Sequence, residues 1–276
     1  MDNHQSPPNR PNPFDQTARD YDREFTNTLL GRIYRAAVWD RLDYLFTGKR
    51  HILELGCGTG EDALYLARRG HRITGLDSSA AMIRLARNKL EEAGFGELSE
   101  FRVLNLDKLS VTDLRHEPKA AGTLPEYNGV LANFGVLNCL QDLPALARVL
   151  HGCLSPGAPA LFVRMGPLVP WEWLWFLRKG QPGKILRRLR RGGAVWRGIT
   201  VRYPGTRKVR ASFSPYFQTK RTGALGTFLP PPYAETWAEA HPGRLALLNR
   251  LERRLAYAPL VNRLADHFIL EMEHAG

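Results

Sequence analysis

The run Glu54-Leu55-Gly56-Cys57-Gly58-Thr59-Gly60 constrains this chain more than any other feature. It follows a short apolar segment, His51 to Leu55, whose abrupt end at a glycine cluster suits a buried parallel strand. Glycines at such a point tolerate positive φ angles and let the backbone approach a ligand closely, and a helix N-terminus just beyond favours a carboxylate or phosphate. Many loops hold three glycines, so position has to decide their purpose.

The surrounding pattern supplies that position. A helix is expected from about Glu61 to Arg69, stopped by Gly70, followed by a strand over Arg72 to Leu76. The spacing predicts a helix over Ala80 to Glu92, with Met82, Ile83, Ala86 and Leu90 on one face and Gly94 at its end. Strands are expected over Phe101 to Leu104, Tyr127 to Ala132 and Ala160 to Val163, with an irregular stretch from Ser110 to Glu126. Leu143, Leu146, Ala147 and Leu150 mark a further helix, and Ser155-Pro156-Gly157 a turn. Upstream, Phe25, Leu29, Ile33, Ala36, Val38, Leu42 and Leu45 predict one or two leading helices between Phe14 and Phe46. Strands alternating with helices imply an α/β fold, a doubly wound, mostly parallel sheet with right-handed crossovers. With 276 residues and 43% hydrophobic content, one large core is expected.

Asp77 follows the second strand, 17 residues beyond Gly60, where a carboxylate can accept hydrogen bonds from both hydroxyls of an adenosine ribose. A dinucleotide fingerprint would need a third glycine where Glu61 stands, and that negative charge would face a pyrophosphate. NAD is therefore disfavoured.

HILELGCGTGEDALYLARRGHRITGLDSS resembles motif I and the acidic loop of class I S-adenosylmethionine-dependent methyltransferases, in the small-molecule branch with an E-x-G-x-G-x-G loop. The likeness runs over roughly residues 14 to 164, through FDQTARDYD, FRVLNLDKL, YNGVLANFGVLNCLQDL and LSPGAPALFV. It implies a seven-stranded Rossmann-like sheet and S-adenosyl-L-methionine as cofactor. It implies too that Glu54 and the Gly56, Cys57, Gly58 and Gly60 loop wrap the methionine part, and that Asp77, with Ser78 and Met82 nearby, holds the ribose side. Asn105 and Leu106 would flank the adenine, although the family often has Asp where Asn105 stands; its amide oxygen can still accept from the adenine amine. Asn133 and Phe134 would line the methyl end, and Tyr21 matches a position that closes over the cofactor carboxylate.

Methyl transfer from a sulfonium is an in-line displacement, so alignment and exclusion of water supply much of the rate. Where a base or polarising group is needed, His241, His267, Tyr203 and Tyr216 are candidates, each with an equally simple structural role. Nucleic-acid base chemistry is disfavoured. The place after strand four reads Asn133-Phe134-Gly135-Val136, not Asn/Asp-Pro-Pro-aromatic; Pro231-Pro232-Tyr233 comes too late, and Cys139 follows Asn138, not a proline.

The net charge of +12 has one source. Between Glu172 and Glu235 there is no acidic residue but fourteen basic ones, leaving the remainder at net −2. Trp171, Trp173, Trp175 and Phe176 precede KILRRLRR, in which Ile185, Leu186 and Leu189 would share one face of a basic amphipathic helix. Such a segment, over residues 171 to 191, suits contact with an anionic membrane surface; a helical lid is the alternative, with polyanion binding behind both. Residues 1 to 13 read as a disordered N-terminus, 14 to 276 as one methyltransferase domain. Within it, leading helices occupy 14 to 47, a cofactor core 48 to 164 and a basic aromatic insertion 165 to 208. Residues 209 to 276 hold the last strands: a helix over Val209 to Phe217, a strand near Thr219 to Phe228, helices from about Ala234 to Leu264, and a final antiparallel strand from Asp266. Helical insertions after strands five and six would roof the substrate pocket.

Cys57, Cys139 and Cys153 have neither disulfide nor zinc spacing, and no signal-peptide or membrane-spanning run is present. A cytoplasmic protein, peripheral to the inner face of the membrane, is the expectation. Two functions fit: methyl transfer to a small hydrophobic or anionic acceptor, such as a lipid or quinone-like metabolite, or a catalytically silent S-adenosylmethionine-binding module whose basic segment meets a membrane, RNA or protein.

Overall fold

Strand β1 (His51–Leu55) has a parallel strand on each side, β2 (Arg72–Asp77) and β4 (Gly129–Ala132), while β3 (Ser99–Val103) pairs with the outer edge of β2. The computed structural model describes residues 12–114, 127–196, 198–259 and 261–276. Beyond β4 lies β5 (Pro159–Met165), then a short hairpin of β6 (Ala194–Trp196) and β7 (Ile199–Val201), then β8 (Phe217–Leu225) and β9 (His267–His274). The main sheet has the order β3-β2-β1-β4-β5-β9-β8, with β9 inserted antiparallel between β5 and β8. The mostly parallel sheet follows from the strand–helix alternation, and its seven strands match the arrangement that the resemblance to class I methyltransferases implies.

The helices are α1 (Pro13–Tyr21), α2 (Leu29–Leu45), α3 (Glu61–Ala67), α4 (Ala80–Glu92), α5 (Val111–Leu114), α6 (Val136–Cys139), α7 (Leu143–His151), α8 (Pro170–Arg178), α9 (Thr206–Phe213), α10 (Glu235–Ala240) and α11 (Pro242–Leu255). Alternate residues of one strand feed opposite cores. Ile52 packs with Leu30, Tyr34, Val38 and the α3 and α4 side chains, whereas Leu53 and Leu55 pack with Leu143, Leu146 and Leu150. That double burial is why β1 reads as an unbroken apolar run.

Several expectations shift. The leading segment is α1, a π-helical turn (Asp22–Thr26), and α2, capped by Thr28. The π turn resets the helical phase, so the buried face of α2 is Leu30, Tyr34, Arg35, Val38 and Leu42, while Leu29 is exposed and Ile33 and Ala36 are half-buried. Tyr127 makes only an isolated bridge to Leu154, and β4 begins at Gly129. Helix α9 ends at Phe213 and not Phe217, because Pro215 cannot continue it. The expected disorder of residues 1 to 13 lies outside the described residues up to position 11; Pro13 already belongs to α1.

KILRRLRR is not an amphipathic helix. It forms single 3₁₀ turns, Pro182–Lys184 and Arg187–Leu189, and then extends. Arg188 turns inward, 7% exposed, to pair with buried Asp266 and Glu172. One buried ion-pair cluster thus overrides a helical sequence pattern.

After β8 the chain turns at Gly226, where a Cβ would lie 2.1 Å from Tyr34 Oη. The amides of Gly226, Thr227, Phe228 and Leu229 all donate to the buried Glu252 carboxylate of α11, at 2.8, 3.3, 2.7 and 3.2 Å. Glu252→Ala orphans this loop, and a loss of about 3 kcal/mol or more is expected, from the cost of unpaired buried donors. Urea unfolding measures it; an unchanged midpoint would show that water replaces the carboxylate.

Candidate functional site

The strand order reverses between β1 and β4, and a crevice opens at their C-terminal ends, where ligands bind in open α/β sheets. Gly56, Gly58 and Gly60 all have positive φ, at 65°, 53° and 79°. A Cβ on Gly56 would meet Val136 Cγ2 at 2.3 Å and one on Gly60 would meet Ala86 Cβ at 2.8 Å, whereas Gly58 has nothing within 4 Å. Packing demands two of the glycines, and the middle one fronts open space. Asp77 braces the loop: its Oδ2 accepts from Gly58 N–H at 3.0 Å and its Oδ1 from Ser79 N–H at 2.9 Å. Burial pushes the Asp77 carboxyl up, against the amides that favour its charge.

Beneath the loop lies a buried polar network. Asp62 accepts from Arg35 Nη1 at 2.9 Å, Trp39 Nε1 at 2.7 Å and Asn133 Nδ2 at 2.7 Å. Arg35 also donates to Thr26, and its Nε has no partner among the described residues. Glu54, 2% exposed, leaves Oε2 without a hydrogen-bond partner. Burial, reinforced by the nearby negative charge of Asp62, pushes its carboxyl well up. Neither Asp62 nor Arg35 stood out in the sequence; only the meeting of α3 with α2 brings them together.

Helix α1 straps over this crevice. Asp15 accepts from Ser79 Oγ at 2.6 Å and Ala81 N–H at 3.0 Å, and Asn12 donates to the exposed Ser78 hydroxyl at 3.0 Å. In the π turn, Asp22 accepts from Thr59 at 2.6 Å and pairs with Lys89 at 2.8 Å. Below the strap is a cavity of about 270 Å³ lined by Thr17, Tyr21, Glu24, Phe25, Phe134, Trp196 and His267. Phe134 holds φ 46°, unusual for a side-chain-bearing residue, and sets its ring 5.0 Å from Phe25 and 5.7 Å from His267. Backbone strain of this kind concentrates at binding sites.

Of the other anticipated residues, Cys57 and Met82 are buried beside the loop, and burial raises the Cys57 thiol. The Asn105 amide oxygen already takes the Asp107 N–H at 3.0 Å, and Leu106 is half-buried next to it. Asn133 turns its amide to Asp62, so of that pair only Phe134 faces the cavity. Two candidate catalytic groups fall away. Tyr216 stacks on His151 at 4.6 Å and precedes β8 at the opposite edge of the sheet, and His241 stacks on Trp237 with Nδ1 2.9 Å from the Trp237 carbonyl oxygen. Tyr203 offers its ring face to Arg188 and does not line the cavity. His267 does line it, at the start of β9 opposite Met165.

A family profile described as a methyltransferase domain matches residues 53–160, the span holding the glycine loop, Asp77 and Phe134. Over that span the chain carries a methyltransferase domain with the class I fold. Among curated proteins the chain is 32% identical over 92 residues to the tRNA 5-carboxymethoxyuridine methyltransferase of Escherichia coli (strain K12), covering 32% of this chain and 35% of that enzyme. It is 27% identical over 178 residues to the demethylmenaquinone methyltransferase of Lactiplantibacillus plantarum, covering 61% of this chain and 69% of that one. The chain thus spans about a third of the tRNA enzyme's length. The CcbJ methyltransferase of Streptomyces caelestis shares the fold at 16% identity, with a TM-score of 0.58 over 98% of this chain and 100% of that one.

Hydrogen bonding from Ser79, foremost, holds the Asp15 carboxyl below its ordinary value, so the charged form anchors the strap. A depressed carboxyl stabilises above its unfolded value, about pH 4, and that contribution is lost as pH falls through the folded value. Asp15→Ala is expected to speed tryptic cleavage at Arg19 and Arg23 several-fold at neutral pH. Equal cleavage rates would mean that other contacts hold α1.

Proposed function

We propose that this chain transfers a methyl group from S-adenosylmethionine to a small apolar acceptor seated in the aromatic cavity. The observation that carries the reading is the buried, unpartnered Glu54 Oε2 at the root of the glycine loop. A carboxylate in such a place calls for a cation, and the α-ammonium of the methionine part is one. Backbone at Gly56, Cys57, Gly58 and Gly60 would wrap that part, with Tyr21 and Arg35 toward its carboxylate. Asp77 would accept from the ribose hydroxyls, with Ser78 and Met82 bordering them and Asn105 and Leu106 the adenine. Phe134 would border the methyl end.

When bound, the sulfonium supplies an electrophilic methyl and a neutral thioether leaving group. The chain's part is to align the acceptor and exclude water, which the α1 strap and the ring-lined cavity are built to do. A quinone-like acceptor is favoured by that lining and by the demethylmenaquinone enzyme among the relatives. The match to the tRNA enzyme covers only 92 residues. Methyl turnover on a quinol acceptor separates this reading from a silent cofactor-binding module.

We further propose delivery of the acceptor from an anionic lipid surface. Leu174, Leu177, Leu186 and Leu189 are 49 to 60% exposed among Arg178, Lys179, Lys184 and Arg190, and Val195 beside the cavity-lining Trp196 is 75% exposed. No helix among the described residues is long and apolar enough to cross a membrane, so contact would be interfacial.

Two measurements test these readings. By calorimetry, Asp77→Ala should weaken S-adenosylhomocysteine binding by on the order of 3 kcal/mol, the worth of charge-assisted hydrogen bonds; unchanged affinity removes Asp77 from the site. In flotation, the protein should rise with phosphatidylglycerol vesicles and remain behind with phosphatidylcholine ones. Leu177→Asp with Leu186→Asp should abolish the difference, and absence from both lipids sinks the proposal.

A further inference from the structure

We infer that Asp266 and His267 form a general-base dyad, and that the acceptor is therefore a one-ring hydroxyl compound, a phenol or enol, methylated on oxygen. The inference rests on the methyl-transfer reading and adds the acceptor's chemical class and the residue that takes its proton.

His267 begins β9, with its ring edge-on to Phe134 and Tyr34 at 5.7 and 5.9 Å. Its Nδ1 lies 3.2 Å from Asp266 Oδ2, within ion-pair distance though not aligned as a hydrogen bond, and its Nε2 has no hydrogen-bond partner among the described residues. With Nδ1 turned to the carboxylate, the other nitrogen is the one available to the cavity that His267 lines. A carboxylate behind one imidazole nitrogen fixes the tautomer that leaves the other a proton acceptor, and it stabilises the imidazolium that results.

The carboxylate is itself held. Asp266 is 3% exposed and accepts from Arg188 Nη2 at 2.7 Å, while Arg188 also donates to the Gly166 carbonyl at 3.1 Å and pairs with buried Glu172. Burial pushes the Asp266 carboxyl up, but Arg188 and His267 outweigh it and hold it well below the usual range, so it stays charged. The basic insertion therefore contributes a fixed support behind the base. Around the imidazole stand Asp266, Arg188 across it, the Tyr34 hydroxyl, and Tyr21 and Glu24 on the strap; Arg35 sits over Phe134 at 5.1 Å.

The rest of the cavity selects the acceptor. Tyr21, Phe25, Phe134 and Trp196 present ring surface, and about 270 Å³ is just below the roughly 300–1,000 Å³ of typical ligand pockets, which suits one ring. A carboxylate acceptor would need no base and would face Glu24. A neutral hydroxyl is a poor nucleophile until its proton leaves. In the step, the acceptor oxygen bonds to the methyl carbon, the carbon–sulfur bond breaks with its electron pair on sulfur, and the O–H proton moves to His267 Nε2. The products are a methyl ether, S-adenosylhomocysteine and an imidazolium that later returns its proton to water.

The test uses 4-nitrophenol, whose absorbance reports its ionisation, with the full chain saturated with S-adenosylhomocysteine so that no turnover occurs. Wild-type protein should bind the probe and show bound phenolate at a pH where the free phenol is largely protonated. His267→Gln should lose that signal at least tenfold while S-adenosylhomocysteine affinity, read by calorimetry on the same sample, stays within twofold. With S-adenosylmethionine, 4-nitrophenol methylation should fall in parallel and be partly rescued by added imidazole. Wild-type protein that binds the nucleoside but shows no phenolate, or a variant with an undiminished signal, overturns the dyad while leaving the methyltransferase reading intact. Failure of wild-type protein to bind either nucleoside would instead sink that underlying reading and the dyad with it.

Discussion

The turn from β1 into α3 is the constraint around which the rest is arranged. Three residues with positive φ bring the chain from a doubly buried strand to a helix N-terminus, and two of them cannot carry a side chain without striking Val136 or Ala86. Because β4 lies beside β1 in the sheet, the same turn fixes where Asn133 and Phe134 emerge and what they can face. Asp77, at the end of the next strand, is at once a brace for the turn and a carboxylate at the crevice. The proposed ligand recognition would draw on the same atoms that brace the turn.

A second consequence of that geometry is electrostatic. Glu54, Asp62 and Arg35 are almost fully buried, and among them only Asp62 has every oxygen partnered. Unmatched polar atoms buried under a glycine loop are costly in the free protein, and a zwitterionic ligand, as proposed, would recover that cost by supplying the missing charges. The α1 strap closes the site from above through Asp15 and Asp22, so water is kept away from atoms whose interactions strengthen in a low dielectric.

The basic insertion divides into two parts with different physics. Arg188, with Glu172 and Asp266, is inside the molecule and ties the insertion to the start of β9. The leucines of α8 and of the 3₁₀ turn, with Arg178, Lys179 and Lys184, are outside and face solvent. A segment so rich in positive charge thus commits two guanidinium groups, Arg187 and Arg188, to the buried carboxylates and leaves most of the others at the surface.

The parallel core was legible in the sequence because its signals are local. Apolar runs ending at glycines mark strands buried on both faces, and Met82, Ile83, Ala86 and Leu90 at helical spacing mark the buried side of α4. The crevice was legible too, since the glycine loop and Asp77 stand at fixed distances along a βαβ unit. Long-range pairings were not. Nothing in KILRRLRR distinguishes Arg188 from its neighbours until Asp266, 78 residues later, comes within 2.7 Å of it. The phase of α2 depended on a π turn that no periodicity announces. Among four candidate catalytic side chains, only the antiparallel insertion of β9 decided that His267 reaches the cavity while Tyr216 falls at the far edge. Sequence pattern determined the strands, the turn and the nucleotide-type crevice, because backbone conformation and burial periodicity are written residue by residue. The tertiary structure alone decided which charges meet in the interior and which side chains face the cavity, because those contacts join segments that the sequence keeps far apart.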